Sequence, residues 1–193
     1  MILVGDIGGT HARLALAESG SADPVAEKHF ATVDFPGFES VLAAYLAQAG
    51  TPITAGCIAV AGPIADDGRH ARLTNLPWLI DCDALEQRFG INRLALANDF
   101  AAAAMGVLAA PAETLVSLQE GEPLANAPKL VIGAGTGLGM AVLMQCRGVW
   151  QVLPGEGGHI GYSPPDEKQD RIHQALRREY GRVTAERIVS GPG

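Results

Sequence analysis

The sequence lacks the features of several common protein classes. Its three cysteines, Cys57, Cys82 and Cys146, form no Cys-x-x-Cys pair, which argues against a disulfide framework or a structural zinc site and for reduced thiols. Basic residues are in the minority, with 14 Lys and Arg against 21 Asp and Glu and a formal charge of -7. We therefore expect neither nucleic acid nor an anionic membrane among its partners.

Long hydrophobic runs are also absent. The N-terminal apolar run, Met1 to Val4, is too short for the hydrophobic region of a secretory signal. No run approaches the ~18 residues that a membrane helix needs. With 193 residues of which 48% are hydrophobic, the chain can still bury the core of one domain or of two small ones. These features predict a soluble cytoplasmic protein.

The first half of the chain alternates short apolar strands with helices. Strands are predicted at Ile2 to Ile7, Ala12 to Ala17 and Val25 to Val33, with a tight turn joining the first two. The elements that follow are a helix over 37–49, a strand over 55–61, a helix from its N-cap Asp81 to Phe89, a strand over 94–97 and a helix over 100–108. This order, β-β-β-α-β-α-β-α, predicts a largely parallel core with an antiparallel hairpin at one side.

The opening pattern returns after residues 110–128, which hold three prolines and are interpreted as a linker. The segments LVGDIGGTHARLAL and LVIGAGTGLGMAVL each read as strand, Gly-Thr turn and strand. The second copy continues with a strand over 149–153, a helix over 166–180 and a turn near 184–186, and then lacks further elements. The repeat predicts a duplicated α/β domain at 1–109 and 129–193 whose second copy is incomplete.

The two Gly-Thr turns are candidates for phosphate binding. Glycine lets a backbone approach closely, so that N–H groups and the Thr hydroxyl can face phosphate oxygens. Asp6, just before the first turn, could hold Mg²⁺ through water, because this ion keeps much of its hydration shell. Each turn taken alone could equally be a simple hairpin, and neither fits a Walker A loop or the G-x-G-x-x-G of a dinucleotide fold.

Two further segments carry polar side chains at places typical of ligand sites. Asn98-Asp99 follows the end of a strand, where ligands of α/β sheets bind, although an Asp there can simply cap a helix. Glu156 and His159 lie on a Gly-rich loop, where together they could bind neighbouring sugar hydroxyls. The intervening glycines disfavour a helical Glu-x-x-His metal site, and a loop histidine without a role is the other alternative.

Together these segments resemble the glucokinase family of bacteria, within the hexokinase and actin-like superfamily. Five motifs follow the family's order along the whole chain: LVGDIGGTHARLAL, NDFAAAA at 98–104, GAGTGLG at 133–139, PGEGGH at 154–159 and AERIVSGPG at 185–193. The resemblance implies a ribonuclease H-like, actin-like fold and ATP-dependent, Mg²⁺-dependent phosphorylation of glucose at its 6-hydroxyl. The sequence lacks the C-x-C-G-x-x-G-C zinc cluster of the related repressor and kinase group.

The resemblance also implies a role for each motif residue. Asp99 would be the general base for the 6-hydroxyl of glucose. The other sugar hydroxyls would be bound by Asn98, Glu156, His159 and Glu186. Mg²⁺ and the ATP phosphates would be surrounded by Asp6, Gly8, Gly9, Thr10, Gly135 and Thr136. One departure is His11, which stands where the family usually has Asn.

A second departure concerns length. The family's chain continues well past Gly193, into a segment that grips adenosine and a last helix that returns to the first domain. This departure favours one alternative, a sugar-binding remnant without kinase activity. The motifs also allow a kinase for another hexose, whereas an actin-like filament protein is disfavoured because its sugar loops would have no role. A half-built sheet leaves an open edge and an uncovered apolar face. We accordingly expect this piece to belong to a longer protein or to complete itself in an oligomer, with a homodimer predicted.

Overall fold

The computed structural model describes residues 1–21 and 23–191. These form two compact units, Met1–Ala102 and a second that begins at Ala103. The region interpreted as a linker falls in the second unit and includes a short 3₁₀ helix, Ala112–Thr114. The domain bounds drawn from the sequence stay predictions.

A five-stranded sheet forms the centre of the first unit. The elements of this unit, in chain order, are β1 (Ile2–Ile7), β2 (His11–Ala17), β3 (Val25–Ala31), α1 (Phe38–Ala49), β4 (Ala55–Val60), β5 (His70–Arg72), β6 (Leu79–Asp81), α2 (Cys82–Phe89) and β7 (Arg93–Asn98). The next helix, α3 (Asp99–Val107), begins in the first unit and ends in the second. The strand order is β3-β2-β1-β4-β7. β1, β4 and β7 are parallel, whereas β2 and β3 are antiparallel neighbours. This arrangement confirms the predicted parallel core with a hairpin at one side.

The core of the first unit occupies one face of this sheet. Alternate strand residues such as Leu3, Ile7, Ile58 and Leu94 are fully buried, as expected from the period of two along a strand. α1 covers them with a set of apolar side chains at spacing i, i+3, i+4 and i+7: Phe38, Val41, Leu42 and Tyr45. Full burial of each such side chain contributes ~1.5–3 kcal/mol to folding.

The predicted bounds of α2 are confirmed by its capping contacts. The Asp81 carboxylate accepts a hydrogen bond from the Ala84 N–H at 3.0 Å, and the helix stops at Gly90, which adopts φ 67° in the left-handed region. The small hairpin of β5 and β6 was not predicted, because strands of three residues are too short to show a period. The third predicted strand is also shorter than expected, since Thr32 and Val33 belong to a 3₁₀ helix, Thr32–Asp34.

The second unit contains a three-stranded antiparallel sheet of order β10-β9-β8. Its elements are β8 (Lys129–Ala134), β9 (Leu138–Cys146), β10 (Val149–Gly155), a 3₁₀ helix (Gly157–His159), α4 (Glu167–Tyr180) and α5 (Ala185–Ile188). α4 begins at the predicted place, where the Asp166 carboxylate accepts a hydrogen bond from the Gln169 N–H at 2.8 Å. The predicted turn near 184–186 is the start of α5.

One face of this second sheet is apolar and exposed, as expected from the sequence. Strand pairing sets Leu130 opposite Val142 and Val142 opposite Leu153, so these three side chains share a face. The exposed members of the apolar face are Leu130, Ile132, Val149 and Leu153, each more than half exposed.

Each helix that the structure describes is too short or too polar to span a bilayer.

Candidate functional site

The first Gly-Thr turn, Gly8 to Thr10, links β1 to β2. It is closed by a hydrogen bond from the Gly8 N–H to the His11 carbonyl oxygen at 3.0 Å. Thr32, which is only 3% exposed, holds the turn in place. Its N–H donates to the Thr10 carbonyl oxygen at 3.0 Å, and its hydroxyl donates to the Gly9 carbonyl oxygen at 2.9 Å. The carbonyl groups of Gly9 and Thr10 are therefore occupied within the protein.

The backbone donors of the first turn remain available. Across residues 1–21 and 23–191, no acceptor in the chain binds the N–H groups of Gly9 and Thr10. The exposed Thr10 hydroxyl lies 3.0 Å from Nδ1 of His11, so the histidine that departs from the family pattern makes a hydrogen bond within the turn. Unpaired N–H groups and a hydroxyl on an exposed turn are the donors that a phosphate group accepts from.

Asn75 is a neighbour of this turn that the sequence reasoning missed. A Cβ added to Gly9 would lie 3.1 Å from the Asn75 Cβ, so the side chain of Asn75 packs directly against the turn. Asn75 stands in a Thr-Asn-Leu-Pro stretch between β5 and β6. Such a stretch is a turn signal and carries no sign of a ligand site, which is why nothing in the sequence pointed to it.

Asp6 is the penultimate residue of β1 and is exposed. In the described part of the chain, no three His, Cys, Asp or Glu side chains come together as a metal site. A single exposed carboxylate is compatible with Mg²⁺, because this ion uses one or two carboxylates, phosphate oxygens and several waters.

Asn98 and Asp99 lie at the same edge of the sheet as the first turn. Ile7 is in register with Val60, and Val60 with Asn98, across the parallel strands. Since neighbouring strands are about 4.8 Å apart, the ends of β1 and β7 are separated by roughly 10 Å. The first unit therefore brings the first turn and the Asn98-Asp99 pair together at one edge.

The helix cap at this edge is Asn98 and not Asp99. The Asn98 side-chain oxygen accepts a hydrogen bond from the Ala101 N–H at 3.0 Å, which is the contact of an N-cap residue. Asp99 is exposed, and its Oδ1 accepts from the N–H of its neighbour Phe100 at 2.7 Å. Because the capping role belongs to Asn98, the Asp99 carboxylate is accessible at the sheet edge.

The second Gly-Thr turn links β8 to β9. The Gly135 N–H donates to the Gly137 carbonyl oxygen at 2.8 Å, and the Gly135 carbonyl oxygen accepts from the Gly191 N–H at 2.7 Å. Within the described ranges, the N–H groups of Thr136 and Gly137 have no acceptor in the chain. The second turn thus repeats the property of the first, with the Gly135 and Gly137 carbonyl groups occupied and the N–H groups of Thr136 and Gly137 available.

Glu156 and His159 lie on the loop that follows β10, which includes the 3₁₀ helix. His159 Nε2 is 3.6 Å from Glu156 Oε2, and both side chains are more than half exposed. Close packing on β9 requires the second glycine, because a Cβ on Gly158 would overlap the Leu138 carbonyl oxygen, whereas a Cβ on Gly157 would displace only the end of the flexible Met140 side chain. This reason for Gly158 is tertiary and could not be inferred from the loop alone.

Glu186, on α5, meets this loop. Its Oε1 is 3.7 Å from His159 Nδ1, so Glu156, His159 and Glu186 form one polar group in the second unit. The loop is held by Arg182, whose guanidinium donates to the His159 carbonyl oxygen at 2.9 Å. Arg182 is another residue that sequence reasoning missed, because it acts through a backbone group. The motif at 185–193 ends in Pro192 and Gly193, which lie outside the described residues.

Comparisons with known proteins agree with this architecture. The sequence model of the Glucokinase family matches residues 3–193. Curated glucokinases of Cronobacter sakazakii and Salmonella typhi are each 41% identical to the chain over 191 residues, which is 99% of this chain and 59% of theirs. The chain therefore spans about three fifths of the length of these relatives.

Solved structures give the same result for the fold. The crystal structure of a glucokinase from an Antarctic psychrotroph has a TM-score of 0.88 and 33% identity, covering 100% of this chain and 61% of that one. A glucokinase from Balamuthia mandrillaris, solved in complex with glucose, has a TM-score of 0.71 and 26% identity, covering 100% of this chain and 60% of that one. The expected ribonuclease H-like, actin-like α/β fold is confirmed, and the chain belongs to the glucokinase family.

Proposed function

We propose that this chain carries the sugar site and the phosphate turns of a glucokinase, which transfers the γ-phosphate of ATP to the 6-hydroxyl of glucose. The observation that carries the proposal is the register of Ile7, Val60 and Asn98, which sets the first turn and Asp99 at one sheet edge. A phosphate held on the turn and a hydroxyl held near Asp99 are then within reach of each other.

Phosphoryl transfer asks a protein mainly for positioning and for neutralisation of charge. Asp99 accepts the proton of the 6-hydroxyl as that oxygen attacks the γ-phosphorus and ADP leaves. General-base catalysis of this kind contributes ~10²–10⁴-fold to a rate. Two observations support this role: Asn98 rather than Asp99 caps α3, and the Asp99 carboxylate is exposed.

The remaining residues bind and orient the two substrates. In the first unit, the side-chain amide of Asn98 binds a sugar hydroxyl. In the second unit, sugar hydroxyls are bound by Glu156, His159 and Glu186, since carboxylates make strong charge-assisted hydrogen bonds. Phosphate oxygens accept hydrogen bonds from the N–H groups of the two Gly-Thr turns and from the Thr10 hydroxyl. Mg²⁺, when bound near Asp6, supplies neutralisation of the phosphate charge.

The assembly and location of the protein are part of the same proposal. A homodimer is supported by the exposed apolar face of the second sheet, because apolar faces of this kind usually mark contact surfaces. A cytoplasmic location is supported by the three cysteines, which are free thiols in the structure. Cys82 is fully buried, and burial raises the pKa of its thiol to about 11, so it is unreactive at neutral pH.

The decisive experiment replaces Asp99 with Asn in the natural full-length protein. Turnover of glucose with ATP should fall by roughly 10²–10⁴-fold, while glucose affinity measured by calorimetry stays within a small factor. Asp66→Asn, a matched change at an exposed Asp in the same unit, should leave turnover unchanged. Near-normal turnover of the Asp99 variant would remove the general base from the proposal. A panel of glucose, mannose and amino sugars tests the hexose.

A further inference from the structure

One carboxylate joins the second Gly-Thr turn to the loop that carries Glu156 and His159, which we call the sugar loop. Glu186 Oε2 accepts a hydrogen bond from the Leu138 N–H, the first backbone donor after the turn, at 3.0 Å. Glu186 Oε1 lies 3.7 Å from His159 Nδ1. One oxygen of the carboxylate is therefore tied to the phosphate turn, and the other faces the side chains that are offered to the sugar.

We propose that Glu186 is a positioning residue that couples the second phosphate turn to the sugar site, so that glucose and the ATP phosphates bind cooperatively. The inference rests on the proposed function, which gives these two places their ligands. It adds that Glu186 does more than contact a sugar hydroxyl, because it transmits the state of one site to the other.

Gly137 leaves room for the Glu186 carboxylate because it has no side chain. A Cβ on Gly137 would lie 2.5 Å from Glu186 Oε2, closer than real Cβ atoms come to other atoms. The backbone of Gly137 does not have a positive φ, so the turn itself does not demand glycine at this position. The glycine keeps open the space in which the carboxylate reaches the Leu138 N–H.

The position of Glu186 is fixed by further contacts of its helix. The Ala185 N–H donates to the Ile160 carbonyl oxygen at 3.0 Å, directly after the sugar loop. The Gly191 N–H, beyond the other end of α5, donates to the Gly135 carbonyl oxygen of the turn at 2.7 Å. The Glu186 side chain is 29% exposed, so its hydrogen bonds are partly shielded from water. A displacement of the turn therefore moves the carboxylate, and the reverse also holds.

Coupling of this kind is reciprocal, and it follows that each substrate should raise the affinity of the other by the same factor, typically about 5–150-fold. When glucose hydrogen-bonds to Oε1, the carboxylate loses freedom to rotate. Its Oε2 then stays on the Leu138 N–H, which favours the conformation of the turn seen here. A turn already in that conformation pays less ordering cost when phosphate binds.

Gly137→Ala is the variant that tests the coupling, because it displaces the carboxylate without deleting it. Only the flexible end of the Glu186 side chain has to move, so the fold should survive. In the full-length protein, the glucose Kd is measured by calorimetry with and without a non-hydrolysable ATP analogue. In the unmodified protein we expect the analogue to lower the glucose Kd by about 5–150-fold, and in Gly137→Ala we expect the two Kd values to become nearly equal.

Three companion variants complete the test. Gly161→Ala adds a Cβ that meets no atom within 4 Å and should keep the ratio of the two Kd values found in the unmodified protein. Glu186→Gln retains an oxygen for the Leu138 N–H and should keep more of the ratio than Glu186→Ala. An unchanged ratio in Gly137→Ala, or an equal loss in Gly161→Ala, would overturn the coupling.

Failure of the proposed function itself gives a different result. If the full-length protein binds no glucose, the substrate assignment is wrong. The hydrogen bond between Glu186 and the Leu138 N–H is then tested by hydrogen exchange of the Leu138 amide. That amide should exchange several-fold faster in Gly137→Ala and in Glu186→Ala than in the unmodified protein. Unchanged exchange in both variants would refute the contact between Glu186 and the turn.

Discussion

The Thr32 hydroxyl donates a hydrogen bond to the Gly9 carbonyl oxygen over 2.9 Å and across 23 positions of sequence. Together with the bond from the Thr32 N–H to the Thr10 carbonyl oxygen, it orients the first turn. A buried threonine thus fixes the backbone of the turn whose N–H groups we propose as phosphate donors. Preorganisation of this kind lowers the entropy that binding costs.

Thr32→Val should loosen this turn, because valine has the shape of threonine without its hydroxyl. We expect a loss of about 0.5–1.5 kcal/mol of stability, the net value of one hydrogen bond, and a higher KM for ATP with little change in the KM for glucose. Urea unfolding and steady-state kinetics measure the two effects. Thr54→Val, which removes a longer and exposed bond, is the control and should change neither quantity.

The capping role of Asn98 can be separated from the chemical role of Asp99. Asn98→Ala should cost about 0.5–2 kcal/mol, as removal of an N-cap does, whereas Asn98→Asp should keep the cap. Asp99→Asn should leave stability nearly unchanged while it lowers turnover. Denaturant unfolding of the three variants decides the point, and a larger stability loss in Asp99→Asn than in Asn98→Ala would reverse the assignment of the cap.

Gly158 is expected to tolerate no side chain. Its Cβ would overlap the Leu138 carbonyl oxygen, which is a backbone atom of β9 and cannot move aside as the end of a flexible side chain can. Gly158→Ala should therefore cost about 1–3 kcal/mol, as overpacking does, and weaken glucose binding by shifting His159. Thermal unfolding and glucose calorimetry test this. An alanine at Gly161, which has open space, should be silent in both measurements.

His70 and Asp67 should titrate as a pair. The hydrogen bond from the His70 ring to the Asp67 carboxylate, 2.8 Å long, raises the pKa of His70 above its usual value. A raised folded-state pKa stabilises the fold below the ordinary histidine value of about 6.5, and this contribution is lost as pH rises through the raised pKa. NMR titration should show the shift and its loss in Asp67→Asn. Asp66→Asn should leave the titration of His70 in place.

The exposed apolar face of the second sheet should cause self-association of the 193-residue chain. Replacing Leu130 and Leu153 with Lys places charges on that face and should shift the sedimentation coefficient towards that of a monomer. Ile172→Lys, at another exposed apolar side chain of the same unit, serves for comparison. A chain that sediments as a monomer before any substitution would contradict this prediction.

Much of the secondary structure was predictable because its causes are local. The spacing of Phe38, Val41, Leu42 and Tyr45 predicted α1, and Asp81 with Gly90 predicted the ends of α2. The hairpin of β5 and β6 left no such pattern in the sequence. The weak alternation over Val25 to Val33 predicts that Thr32 is part of a strand, whereas Thr32 begins a 3₁₀ helix and hydrogen-bonds to the first turn.

The site was predictable in its motifs but not in its contacts. Glycine with threonine, and Asn98 with Asp99 after a strand, are local signals that point to chemistry by residue type alone. The roles carried over to these residues stay predictions. The sequence did not show which residue caps α3, since either Asn98 or Asp99 could have done so. The hydrogen bond from the Ala101 N–H to Asn98 decided it.

The sequence by itself determined the order of most strands and helices, the two Gly-Thr turns and the family. These rest on periodicity, capping and motif spacing, which act over a few residues. Only the tertiary structure decided that Thr32 supports the first turn and that Glu186 reaches Leu138, 48 positions away in sequence. Such contacts depend on strand register and close packing, which bring distant backbone groups together and which no local pattern encodes.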